Sequence, residues 1–292
     1  MSQEEELILD ASLSFLTGLR VGVYKSDDPL PPKQQQALKG WLDLLLVSLP
    51  PEWALQEAIG DLINHFDDIS KSRKAFIDLL NQHMLPRHKW SNSCSRENGF
   101  SCGFWKLLHT MSIGVAEHRG GQDLIAAGSV MPATRIFSPL DAADTVREYM
   151  AHFYPCHECS KHFVGQYDQC ELNRRCDRLT TSASMSSDED WKELATWLWE
   201  VHNDVSIRLR NEKHEAKRWR RQRFLPESDQ IKAIWPAITD CAGCLREDGS
   251  FNENMIFLHL EQTYWYVVIL FSNTISLHIL TILLLSTGQV MI

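Results

Sequence analysis

No stretch of the 292-residue chain sustains an alternation of apolar and polar side chains. A strand that is half-buried in a sheet needs that period of two, so the fold class expected is all-α. Apolar residues recur at helical spacing instead. Residues 1–20 carry Leu7, Ala11, Leu13 and Leu16 near one face, and residues 33–48 carry Ala37, Leu38, Trp41, Leu44 and Leu45. DDPLPP at 27–32 is a loop, and Pro50–Pro51 ends the second helix. Two more helices are expected at 52–66 and 72–83, with Pro86 closing the segment. This first unit, residues 1–88, has no cysteine and reads as a helical packing module.

The rest of the chain carries eight cysteines, six of them in close pairs. That usage points to an oxidising compartment. The acidic start, MSQEEELILD, lacks the shape of a signal peptide. The two observations agree if this chain is the later part of a longer protein. A formal net charge of −9 argues against general nucleic-acid binding.

The most chemically loaded stretch is YPCHEC, residues 154–159. Pro155 suits the first turn of a helix, which would put Cys156 and Cys159 in its opening turn. The positive end of the helix dipole favours thiolate there. His162 follows Cys159 at i+3 on the same face. A reactive dithiol, a static disulfide and half of a zinc site all fit this motif. Upstream, Cys94 and Cys102 flank a short polar loop, and Trp105 and His109 share a helix face with Cys102. They read either as a ligand wall or as core. Residues 165–190 form a loop-rich insert with Cys170 and Cys176, whose expected fate is a local disulfide. Ser187 or Asp188 can cap the helix that follows.

That helix, 190–210, has one stripe of Leu194, Leu198, Val201, Val205 and Leu209. A second stripe combines Trp199, His202, Asn203 and Ser206. Buried polar groups need partners, and a polar aromatic ligand would supply them. The eight Lys/Arg at 208–223 are interspersed with two Glu and read as a solvated helix end. Cys241 and Cys244 form a second CxxC, which reads as an accessory or structural disulfide; with the first it could instead make a four-thiolate zinc site. From Gln262 to Ile292 there is no Asp, Glu, Lys or Arg. Tyr264–Leu285 is long enough for a transmembrane helix, with Tyr264, Trp265 and Tyr266 at one interface.

Four stretches agree in order and rough spacing with one family: GFSCGFWKLLH (99–109), HFYPCHECSKHF (152–163), TWLWEVHNDVSIRL (196–209) and KAIWPAITDCAGC (232–244). They resemble the Erv/ALR flavin domain, and the helices before them make the chain similar to the quiescin-type sulfhydryl oxidases. The resemblance implies a degenerate Erv-like helical region (1–88) and an Erv/ALR FAD-binding bundle (89–262), and the uncharged composition marks 263–292 as a membrane-anchoring tail. It implies a thiol oxidase that uses FAD. Protein or small dithiols would reduce the Cys156–Cys159 disulfide, the dithiol would reduce FAD, and molecular oxygen would take the electrons as hydrogen peroxide. Cys159 would be the flavin-proximal cysteine and Cys156 the one that meets incoming thiols. FAD contacts would come from Asn98, Trp105, His109, Glu158, His162, Trp199, His202, Asn203, Val205, Ser206, Lys232 and Trp235. Cys94–Cys102 and Cys170–Cys176 would be structural.

Two departures stand out: Ser206 replaces the family's usual Asn, and Asn98 stands where Arg is common. The family's thioredoxin-like domain, the natural electron donor, is not in this chain. Its compartment would be the secretory pathway. The contrasting reading is a zinc- or disulfide-stapled helical membrane adaptor without catalysis.

Overall fold

The computed structural model describes residues 1–83, 85, 89–95, 99–170, 175–218, 234–237, 239–248 and 250–265. Among them the regular structure is helical, apart from one isolated bridge between Leu245 and Phe251.

The helices begin where local chemistry lets them. α1 (Gln3–Gly22) has a capping box, with the Ser2 hydroxyl accepting from the Glu5 N–H and the Glu5 carboxylate accepting from the Ser2 N–H. α2 (Pro32–Ser48) opens on a proline, whose missing N–H would have been unpaired anyway. Three short helices follow: α3 (Leu55–Asn64), α4 (Phe66–Ile69) and α5 (Arg73–Gln82). α6 (Gly99–Glu117) runs through the middle of the fold, and α7 (Gln122–Ala126) is a single turn. α8 (Pro139–Phe153) starts where Ser138 and Asp141 form a second capping box. Then come α9 (His157–Asp168), α10 (Arg175–Arg178), α11 (Glu193–Arg218) and α12 (Glu253–Tyr264). The insert expected at 165–190 is therefore narrower. α9 holds to Asp168 because Tyr167 is buried, with its hydroxyl donating to Asp144 at 2.6 Å and its ring edge-on to Trp197. Ser187 caps the 3₁₀ turn Asp188–Lys192 that leads into α11.

One apolar core extends from Leu7 to Val201 and so crosses residue 88. Trp41 of α2 stacks on Tyr149 of α8 at 4.5 Å, both almost wholly buried. Burying a large apolar side chain stabilises by about 1.5–3 kcal/mol. α1 lies close against α6, and Gly103 makes the approach possible: a Cβ there would strike the Asp10 carbonyl. The Asp10 side chain is fully buried at the same crossing. It accepts from the Ser91 N–H at 2.8 Å, the Ser91 hydroxyl at 2.6 Å and Lys106 Nζ at 2.7 Å. A polar residue in α1 thus ties the approach to α6 into the bundle.

A second, smaller core joins Ile113, Trp199, Phe257, Leu260 and Trp265 around Cys241 and Cys244. This corrects one expectation about the tail. Trp265 is only 4% exposed and sets its ring edge-on to His118, and Tyr264 packs against His109. Both belong to the bundle rather than to a membrane interface, because α12 docks its apolar face on α6 and α11. No helix of the described residues is long and apolar enough to cross a membrane. The remainder of the expected transmembrane segment, from residue 266 on, lies outside the described residues.

Candidate active site

α8 ends at Phe153 because Tyr154 precedes a proline and is extended, with φ −67° and ψ 126°. Cys156 is itself the N-cap of α9, so Pro155 lies one residue outside the helix rather than in its first turn. The Cys156 Sγ accepts from the Cys159 N–H at 3.3 Å. Cys156 and Cys159 are joined in a disulfide with Cα atoms 5.3 Å apart. The pair sits where the free N–H groups and the dipole of α9 favour negative charge on sulfur.

Cys159 lines an apolar cavity of about 110 Å³, and Cys156 does not. Phe104 and Trp105 of α6, Met150 of α8, His162 of α9, and Val205 and Arg208 of α11 are among the other residues of the wall. His162 also lines a second, polar hollow of about 330 Å³, together with the exposed Glu158 and Lys161 and the half-buried Gln166. A larger hollow of about 730 Å³ between α2, α8 and α9 holds mutually paired charges, such as Arg147 with Asp168, and no cysteine.

Behind the cavity, α6 and α11 face each other through polar aromatics. Trp105 stacks on His202 at 4.1 Å, nearly parallel. His109 Nε2 and His202 Nδ1 are 2.9 Å apart, one donating and the other accepting. Burial, with His202 beside it, holds His109 well below the usual histidine range, and burial alone pushes His202 down to about 4. Both rings are therefore neutral near pH 7. Trp199 and Asn203 find their partner in the chain itself. Trp199 Nε1 donates to the Trp235 carbonyl at 2.6 Å. Asn203 clamps the same residue twice, its Nδ2 donating to the carbonyl and its Oδ1 accepting from the N–H, each at 2.9 Å. For these two the partner expected from a ligand is the Trp235 backbone. The orphans that remain here are His109 Nδ1 and, on the cavity wall, Arg208 Nε, each buried without a partner.

The structure thus gathers Cys159, Trp105, His162 and Val205 around one cavity, and His109, Trp199, His202, Asn203 and Trp235 into the wall behind it. Ser206 is half-buried on the same helix. Asn98 and Lys232 lie outside the described residues. Several residues of the site escaped the sequence reading, among them Phe104 and Met150 of the apolar wall, Arg208 and Tyr264. Arg208 lines the cavity, yet in sequence it opens a basic run. Tyr264 stacks on His109 at 5.0 Å, yet it stands at the head of an uncharged tail. The signal for Arg208 was its place three residues after Val205 on the same face.

All eight cysteines are paired, as Cys94–Cys102, Cys156–Cys159, Cys170–Cys176 and Cys241–Cys244. The two CxxC pairs do not come together as one thiolate set, and Cys241 and Cys244 are buried in the second core. The residues present fit a flavin dinucleotide. A flat ring laid beside Cys159 would meet apolar walls and Arg208, whose Nε is buried without a partner in the chain. The apolar cavity alone is below the roughly 300–1,000 Å³ of typical ligand sites. The polar hollow that adjoins it at His162 suits the polar remainder of such a molecule.

The Erv1 / Alr family model matches residues 102–225. The chain is 26% identical over 259 residues to Sulfhydryl oxidase 1 of Oryza sativa subsp. japonica, covering 80% of this chain and 42% of that protein. It is 25% identical over 272 residues to Sulfhydryl oxidase 2 of Homo sapiens, covering 88% of this chain and 34% of that protein. The chain thus spans less than half the length of these curated relatives. Among solved structures, the sulfhydryl oxidase fragment of human QSOX1 aligns with a TM-score of 0.59 at 18% identity, over 87% of this chain and 94% of that one. That likeness bears on the fold.

Proposed function

The chain is a relative of the quiescin-type sulfhydryl oxidases, and from that kinship we propose that it oxidises thiols to disulfides through Cys156 and Cys159. The observation that carries this reading is that Cys159 of the disulfide lines the apolar cavity, while Cys156 does not. Sulfhydryl oxidases of this family are FAD enzymes. FAD bound here would supply a two-electron acceptor that returns to its oxidised form with oxygen, releasing hydrogen peroxide. Trp105, His109, His162, His202 and Val205 are the residues that would hold it, with Trp199, Asn203 and Trp235 setting the wall behind them.

The chain's own part begins at Cys156. An incoming thiolate attacks Cys156 Sγ, the S–S bond breaks, and Cys159 leaves as a thiolate. A second thiolate of the substrate attacks the mixed disulfide, which forms the substrate disulfide and frees Cys156. Two thiols lose two electrons and two protons, and the CxxC pair gains the electrons. The α9 N-terminus stabilises the thiolates. Cys159 then holds its electron pair at the cavity wall, where Arg208 is the cation among the lining side chains. We read residues 89–262 as the catalytic bundle and 1–88 as the helical region that braces it. A thioredoxin-like dithiol is the natural electron donor, and an oxidising, secretory-pathway compartment suits four disulfides.

Oxygen uptake by purified protein, driven by dithiothreitol and by a reduced thioredoxin-like donor, tests this. Cys159→Ser should lower turnover at least a hundredfold with both donors and leave the fold and any bound flavin in place. Normal turnover in Cys159→Ser would overturn the assignment.

A further inference from the structure

Arg208 of α11 has a guanidinium with two fates. Its Nη1 donates to the Glu212 carboxylate at 2.6 Å, one turn further on, in a pair whose side chains are 33% and 55% exposed. Its Nε is buried without a partner in the chain. An exposed pair at this spacing contributes little and has no need to bury the rest of the group. A buried donor left unpaired is costly. The Glu212 pair therefore does not account for the place of Arg208 in the cavity wall.

The same wall holds Cys159 and not Cys156. The side chains that α6 and α8 send to it, such as Phe104 and Met150, carry no charge. Tyr154 and His162 are its other titratable groups besides Cys159. Burial pushes the Tyr154 phenol up, so it stays neutral. His157, Glu158 and Lys161, the neighbours of Cys159 on α9, are exposed. In the disulfide, Cys159 Sγ is neutral and asks nothing of a cation. Reduction changes that. Two substrate thiols become a disulfide, losing two electrons and two protons, and the S–S bond of the pair breaks. One proton returns to Cys156, the other leaves to solvent, and Cys159 keeps a negative charge.

We propose that Arg208 is a positioning residue for the reduced state: its charge stabilises the Cys159 thiolate at the cavity wall and leaves the proton to Cys156. The N-terminus of α9 favours thiolate on either sulfur, and Arg208 supplies the difference between them. The bearing on turnover rests on the thiol-oxidase reading above; the titration of the sulfur does not.

All eight cysteines are paired, so Cys156→Ser leaves Cys159 as the one free thiol of the full chain. Its ultraviolet thiolate absorbance, followed against pH, reads that sulfur alone. Cys159 should titrate below the ordinary value of about 8.5. Adding Arg208→Gln should raise it by about one unit, a tenfold loss of thiolate at a pH below both values. Arg208→Lys keeps the charge and should keep most of the lowering. His162 and the exposed charges of α9 are common to all three proteins, so the differences belong to Arg208. A Gln variant that titrates with its parent would overturn the proposal, and so would equal rises in the Gln and Lys variants. If Arg208→Gln fails to fold, Arg208→Met takes its place. A parent value at or above about 8.5 would overturn the proposal without any Arg208 variant. A purified chain without a flavin band would undo the functional reading and leave this titration to judge Arg208.

Discussion

Asn203 shows how a single side chain sets the wall of the site. Its amide pairs with both the N–H and the carbonyl of Trp235, which fixes a loop to α11 across 32 residues of sequence. Asn203→Ala would leave the Trp235 N–H without this acceptor, and a buried donor left unpaired costs about 1–3 kcal/mol. We expect that loss in urea unfolding, together with weaker retention of FAD in the purified protein. Unfolding at the wild-type midpoint would show that the Trp235 clamp contributes nothing. The neighbouring His109–His202 pair has a different character. Two neutral rings in a dry place make one hydrogen bond between them, and His109 Nδ1 is left buried without a partner in the chain. That orphan is the residue-level sign that the wall is built to meet something else.

α6 is the element through which the rest communicates. It carries Trp105 and His109 on one side, packs on α1 through Gly103, and packs against α12 as well. Its anchoring to α1 depends on the Asp10–Lys106 pair, in which Asp10 is fully buried and Lys106 is 17% exposed. Removing one partner of a buried pair costs about 3–5 kcal/mol. Asp10→Ala should therefore lower stability by about 3 kcal/mol in chemical denaturation, and an effect below about 0.5 kcal/mol would contradict the assigned role.

The helices themselves were legible from periodicity, because burial follows the apolar stripe. Ala37, Leu38, Trp41, Leu44 and Leu45 of α2 are all buried. The stripe on α11 was legible only in part. Leu194, Leu198 and Val201 are core, whereas Val205 and Leu209 border the cavity and Leu209 is 43% exposed. Periodicity cannot tell a core wall from a cavity wall, since both are apolar. Asp10 was not legible at all, for its partners Ser91 and Lys106 lie 81 and 96 residues away. Tyr264 and Trp265 misled for a related reason. An uncharged aromatic run suits a membrane boundary and a protein interior equally well, and only the docking of α12 decides between them.

At the scale of the molecule, an all-helical bundle with one main core supports a disulfide at its surface and a lined cavity beneath. The helices of the first unit contribute no cysteine and no side chain to the cavity wall, but α1 and α2 form much of the core on which α6 and α8 rest. On the proposed reading, the first unit supplies mechanical support and the rest of the chain the chemistry. The central claim is that electrons from thiols enter at the CxxC pair and leave through a flavin beside Cys159. The visible absorption spectrum of the purified chain, taken without air before and after dithiothreitol and again after air is admitted, tests it most directly. The account predicts a flavin band that fades with dithiothreitol and returns with oxygen. A protein without a flavin band, or one whose band does not fade, would contradict it.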